Sequence, residues 1–128
     1  MSGEKMYELS IGRTVRLTKE NIDDIMCSAL DSIGYWCRKA EVVGEYLGEY
    51  ASEQIARGGT LILHDAESDD KWALTIHDLL KGVKLWLQNG DDQYHALQKD
   101  GTVDCCEIDG EMADLIIQYA LFGEVVFG

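Results

Sequence analysis

Two histidine–aspartate pairs, His64-Asp65 and His77-Asp78, are the residues of this chain whose types most directly suggest chemistry. Imidazole and carboxylate side by side are the ligand pair of metal-dependent phosphohydrolases, in which a divalent ion activates water. Such a centre needs further histidine and aspartate ligands on facing helices, and the chain holds only three histidines. His64 ends an apolar, strand-like run, and Asp78 follows Thr75 at the spacing of a helix capping box. The pairs are therefore read as structural. Zinc is the sharper metal option, because Cys27, Cys37, Cys105, Cys106 and His95 supply enough thiolate and imidazole for a tetrahedral site. Yet no Cys-x-x-Cys or His-x-x-x-His spacing occurs, and adjacent Cys105 and Cys106 rarely turn to one ion. The expectation is no cofactor, with a structural zinc on those five residues as the one metal site to examine.

Nucleophilic catalysis requires a thiol or hydroxyl beside a base, and the sequence places no cysteine next to His64, His77 or His95. No Gly-x-Ser-x-Gly elbow, phosphate loop or dinucleotide fingerprint is present. A protein without catalysis is expected. Trp36, Trp72 and Trp86 could stack on a nucleobase while Arg13, Arg16, Arg38 and Arg57 hold its phosphates. Against that, four arginines in a strongly acidic chain suit protein binding better, and Trp86 and Trp72 have simpler roles in the core and across a hairpin.

Charge carries more information than motif. Eleven Lys+Arg against 24 Asp+Glu give a formal net charge of -13, which repels phosphate backbones and anionic lipid. Direct binding of nucleic acid or membrane is not expected. The same field steers the chain toward a basic partner, including the nucleic-acid groove of another protein, at a rate that salt screens. Glu41, Glu45, Glu49, Asp69, Asp70, Asp91 and Asp92 are the candidate contact residues. No apolar run approaches the roughly 20 residues of a membrane span, and Met1-Ser-Gly-Glu-Lys5 lacks a secretory pattern. A soluble, cytoplasmic protein with free thiols is expected.

The elements that must position these residues follow from periodicity. Residues 1–13 read as an N-terminal extension, in which Tyr7 to Ile11 alternates like a short edge strand or frays, and 14–128 as a single domain. Thr14–Thr18 alternates as a strand, and Thr18 caps a helix with Glu20 in its first turn. Ile22, Ile25, Met26, Ala29, Leu30 and Ile33 share one face of that helix, and Gly34 stops it. Val42, Val43, Tyr46, Leu47 and Tyr50 recur at helical spacing broken by Gly44 and Gly48, which predicts an irregular, partly helical segment. Residues 51–57 predict a helix closed by Gly58-Gly59.

Residues 60–64 and 71–75 predict an antiparallel hairpin. Thr75 caps a helix whose buried stripe is Leu79, Leu80, Val83, Trp86 and Leu87, and Asn89-Gly90 closes it. Residues 91–107 show no period and carry a Lys-Asp-Gly-Thr turn, which marks a mobile or partner-facing loop. Asp109 opens a last helix with Met112, Ala113, Ile116, Ile117, Ala120 and Leu121 on its apolar surface. Gly123 ends it, and residues 124–127 suit a strand added to the hairpin sheet. The fold class is α+β: a single compact domain of three to four helices on a small antiparallel sheet, built from the 60–75 hairpin plus terminal strands.

Tyr35-Trp36-Cys37, residues 44–55, Gly58-Gly59 with the strand and His64-Asp65 behind it, and the Ile117-Gln-Tyr-Ala-Leu-Phe-Gly-Glu-Val-Val-Phe-Gly128 terminus carry a resemblance. The chain resembles, over about residues 14–128, the small, largely uncharacterised proteins encoded by phages and prophages of gut Firmicutes. The resemblance implies a mobile-element origin and a role inside the infected host, and it brings no catalytic residues with it. With the charge, it yields the functional expectation of an acidic counter-defence protein that binds and inhibits a host defence protein. Its concrete form is an anti-CRISPR-like block of a basic nucleic-acid-binding surface, as on a CRISPR effector. The alternatives are a binder that sequesters a nucleotide immune signal of the cyclic ADP-ribose type, or a phage structural or assembly protein that forms homo-oligomers.

Overall fold

A computed structural model describes residues 6–128, so the first five residues of the expected N-terminal extension lie outside the described residues. Met6–Ser10 forms β1 and pairs antiparallel with β2, Thr14–Thr18. Gly12 lies in the turn between them at φ 88°, in the left-handed region that glycine enters without steric cost. Alternation along β2 buries Val15 and Leu17 completely. The boundary expected at residue 13 falls at the tip of this hairpin, and the Tyr7 hydroxyl donates to the Ala56 carbonyl at 2.5 Å.

Thr18 caps α1, Lys19–Ser32, in a reciprocal capping box with Asn21. The apolar face predicted for this helix is its buried face: Ile22, Ile25, Met26 and Ala29 are at most 1% exposed. A single 3-10 turn at Ile33–Tyr35 follows and leads into β3, Cys37–Val42, a strand that the sequence pattern does not reveal. The helical spacing of Val42 to Tyr50 is coincidental. Ala40 and Val42 turn inward and pair with Leu63 and Leu61, while Lys39 and Glu41 face out. The helix expected at 51–57 is two 3-10 turns, Ala51–Glu53 and Ile55–Arg57, ended by Gly58 at φ 89°.

β4, Leu61–Asp65, and β5, Lys71–Leu74, form the expected hairpin, with Leu63 opposite Trp72. The sheet order is β3-β4-β5, separate from the β1-β2 pair. Thr75 and Asp78 form the capping box of α2, Ile76–Gln88, and Asp109 caps α3, Gly110–Phe122. α3 packs against α1, α2 and β5, and its Ala113, Ile116 and Ile117 are fully buried. Among the described residues the chain thus has three α-helices and two small antiparallel sheets, and the α+β class holds.

The terminal segments do not join the hairpin sheet. Among the described residues β1 pairs only with β2, and residues 124–128 are not a strand. The tail folds back because the buried Gln118 carboxamide satisfies it: Oε1 accepts from Val126 N at 2.8 Å and from Phe127 N at 2.7 Å. Phe127 then stacks on Trp36, with ring centroids 4.9 Å apart and planes 3° from parallel. Side-chain hydrogen bonds and ring stacking replace the strand pairing that the Val-Val-Phe pattern predicts.

Candidate partner-binding surface

β3 ends at Val42, and Val43 N still donates to Thr60 O at 3.1 Å before the chain leaves the sheet. Gly44, at φ 75°, turns it outward into a loop spanning residues 43–50. Two side chains from the following 3-10 segment hold that loop. Gln54, 1% exposed, accepts from Leu47 N at 3.0 Å through Oε1 and donates to Glu45 O at 3.2 Å through Nε2. Glu53 Oε1 accepts from Glu49 N at 2.7 Å and Tyr50 N at 3.2 Å. Those two amides hold the Glu53 carboxyl below the usual carboxylate range. The approach is close enough that a Cβ on Gly48 would lie 2.7 Å from that of Glu53, and one on Gly59 2.5 Å from Gln54 Nε2.

With the Leu47, Glu49 and Tyr50 amides and the Glu45 carbonyl held by Gln54 and Glu53, the large side chains of the loop point away from the core. Val43, Tyr46, Leu47 and Tyr50 are 49%, 60%, 50% and 61% exposed, and Glu45 and Glu49 between them are exposed as well. Exposed apolar groups concentrated in one fixed loop are uncommon on a surface without a partner, and tyrosine is enriched where proteins bind one another. Beside the loop, an open groove of about 420 Å³ separates it from α1, lined by Cys27, Leu30, Asp31, Tyr50, Ala51 and Ser52.

Removing the Gln54 carboxamide should release this loop. Gln54→Ala leaves Leu47 N and Glu45 O without their partners, an expected loss of about 1–3 kcal/mol in urea unfolding. The Leu47 amide should exchange with solvent markedly faster. A variant with unchanged Leu47 exchange would show that other contacts hold the loop.

The seven acidic candidates do not form one patch. Glu45 and Glu49 lie in the loop. Glu41, at the β3 end beside it, faces His64 Nε2 at 2.9 Å, and that bond, with Lys39 near, holds its carboxyl low. Asp69 and Asp70 are exposed at the far end of the sheet, in the β4–β5 connection. Asp91 accepts from the Tyr119 hydroxyl at 2.7 Å, and Asp92 accepts from Ala96 N at 2.7 Å and Leu97 N at 3.0 Å. These bonds tie Asp91 to α3 and Asp92 to the backbone of the 91–107 segment. Arg13 and Arg16 pin the same segment through the Gln98, Lys99 and Asp100 carbonyls.

The aspartates of both histidine pairs are engaged in local hydrogen bonds. Asp65 accepts from Glu67 N at 3.2 Å, and Ser68 holds its carboxyl low, while Asp78 closes the α2 cap. The four cysteines are free thiols: Cys27 and Cys106 are exposed, Cys37 is buried and Cys105 half-buried. Burial raises the Cys37 thiol and pushes that of Cys105 up to about 12, which disfavours the thiolate a metal or a substrate would need. Among the described residues no three His, Cys, Asp or Glu side chains are grouped to hold a metal ion, so the five zinc candidates are not brought together.

The aromatic and arginine residues weighed for a nucleotide are also dispersed. Trp36 and Trp86 are at most 2% exposed, Arg57 pairs with Asp23 at 3.1 Å, and Arg38 Nε donates to Asp65 O at 3.1 Å. Asp114, 7% exposed, accepts from Trp36 Nε1 and Gln118 Nε2, each at 2.9 Å, and from the Tyr35 hydroxyl. Burial and this carboxylate push Tyr35 up to about 12. The cluster fastens the 3-10 turn and the tail to α3. No signal in the sequence points to it, because its members are drawn from positions up to 83 residues apart.

Among the described residues no helix is long and apolar enough to cross a membrane. Comparison with protein-family models, with curated proteins and with solved structures gave no match, so the candidate surface stands on this chain's own geometry.

Proposed function

We propose that this chain is a non-catalytic binding protein that uses the acidic, tyrosine-bearing loop at 43–50 to dock on a basic surface of another protein and block it. The observation that carries this reading is the loop itself: four large apolar side chains about half exposed or more, interleaved with Glu45 and Glu49, on a backbone fixed by Gln54 and Glu53. Fixing the backbone in advance removes much of the ordering cost of association. The rings and Leu47 supply contact area, and the carboxylates, within a chain of net charge -13, supply attraction and orientation.

The resemblance to phage-encoded proteins gives the reading its biological form. The partner is a host defence protein, and the blocked surface is one that would otherwise hold nucleic acid, as in an anti-CRISPR. A rigid acidic loop competes for such a surface by offering carboxylates where phosphates would lie.

Reversing both loop charges tests this directly. The Glu45→Lys/Glu49→Lys double variant should fold normally, since both positions are exposed, and should lose about 10- to 100-fold in affinity for the protein captured from a phage-sensitive host. Capture by the parent chain should weaken steeply between low and physiological salt. A captured protein with an acidic surface, or capture indifferent to both the substitutions and salt, would overturn the reading.

A further inference from the structure

We propose that the groove between α1 and the 43–52 segment receives an apolar side chain from a basic, amphipathic segment of the partner protein, whose lysines or arginines meet the carboxylates along its rim. This deepens, and rests on, the reading of the loop as a partner-binding surface.

The groove has the two features such a segment needs. Its floor is apolar, formed by Leu30, Ala51 and the ring of Tyr50 with the exposed thiol of Cys27. At about 420 Å³ and open to solvent, it has room for an apolar side chain presented by another surface. Its rim is acidic from both sides. Cys27 and Asp31 stand four residues apart on the exposed face of α1 and both line the groove, and Glu49 is exposed next to Tyr50 across it. No lysine or arginine lines it, and α1 has no basic residue in its last turn.

An apolar trough with Asp31 on one side and Glu49, next to Tyr50, on the other is complementary to a segment that alternates apolar anchors with cations, the pattern of helix-in-groove recognition. An acidic or uncharged segment would meet the same floor against the repulsion or indifference of the rim. A bare polycation would satisfy the rim and leave the floor wet. The chemistry therefore selects a segment that is both basic and amphipathic.

The experiment uses the full chain and two fluorescein-labelled probes of equal charge: a lysine-leucine peptide with leucines at helical spacing, and an oligolysine. The lysine-leucine peptide should bind about tenfold or more tightly than oligolysine, as burial of a leucine side chain implies. It should also slow N-ethylmaleimide modification of Cys27 about tenfold while leaving the exposed Cys106 unchanged. Cys27→Lys, at an exposed helix position, should keep the parent's circular dichroism and melting and abolish the preference for the leucine-bearing probe. Equal affinity for the two probes, lost in Glu45→Lys/Glu49→Lys, would overturn the groove and leave the acidic loop standing. A preference for leucine without protection of Cys27 would likewise place the anchor elsewhere. Failure of both probes to bind would overturn the groove and the reading beneath it.

Discussion

Replacing Ile117 by aspartate is expected to abolish cooperative folding. Ile117 is fully buried on α3, the helix that packs against α1, α2 and β5 together. Its neighbours on the same helix, Ala113, Ile116 and Ala120, are buried apolar groups, so a carboxylate there would lose its water without gaining a cation or a donor set. Burying an uncompensated charge and forfeiting a buried aliphatic side chain together cost more than about 4–5 kcal/mol, comparable with the whole stability of a small domain, about 5–15 kcal/mol. The expected observation is loss of the thermal transition in far-ultraviolet circular dichroism at ambient temperature. A variant that melted like the parent but failed to bind its partner would make α3 a binding surface instead of the keystone of the core.

Gly82→Ala is expected to destabilise the protein even though helix propensity alone predicts the reverse. Gly82 lies in the middle of α2, where alanine would stabilise an isolated helix by about 1 kcal/mol. In the folded chain, however, a Cβ at this position would lie 2.9 Å from the Ala120 Cβ and 3.0 Å from its backbone nitrogen, and closer still to the Ile116 carbonyl oxygen. These atoms belong to the α3 backbone or its first carbon and have no rotamer into which to retreat. The two helices must separate along their contact, an overpacking cost of about 3 kcal/mol, which outweighs the propensity gain and leaves a net loss of about 2 kcal/mol. Urea denaturation should show a midpoint lowered by about 1–2 M at unchanged slope. A raised midpoint would mean that the helices yield at little cost.

Where the sequence was legible, the information was local. Thr18, Thr75 and Asp109 mark helix starts because a cap is a contact across three residues, and all three cap as read. The 61–74 hairpin follows from two apolar runs around a polar turn. β3 was hidden because only Ala40 and Val42 of its outer half turn inward and its inner half carries a bulge between Cys37 and Lys39. The next apolar residues, Val43 to Tyr50, then supply a false helical period. They are apolar at helical spacing without being buried, so their period reports neither a helix nor a core face.

The candidate surface was half legible for the same reason. Glu45 and Glu49 could be singled out by charge, and so could Asp91 and Asp92, but charge alone does not separate a carboxylate that faces solvent from one that bonds Tyr119 or the Ala96 and Leu97 amides. Gln54, which fixes the loop, gave no sign at all, since a side chain bonding backbone seven or nine residues away leaves no period in the chain.

The sequence by itself determined the fold class, the helix starts, the hairpin and the acidic balance of this protein, because each depends on composition or on contacts within a few residues. Tertiary structure alone decided the third strand, the course of the C-terminal tail and which acidic residues bond to the chain itself. Those depend on which hydrogen-bonding groups and apolar faces meet across long stretches of chain: Gln118 with the amides of Val126 and Phe127, Phe127 with Trp36, and Gln54 with the loop it holds open to solvent.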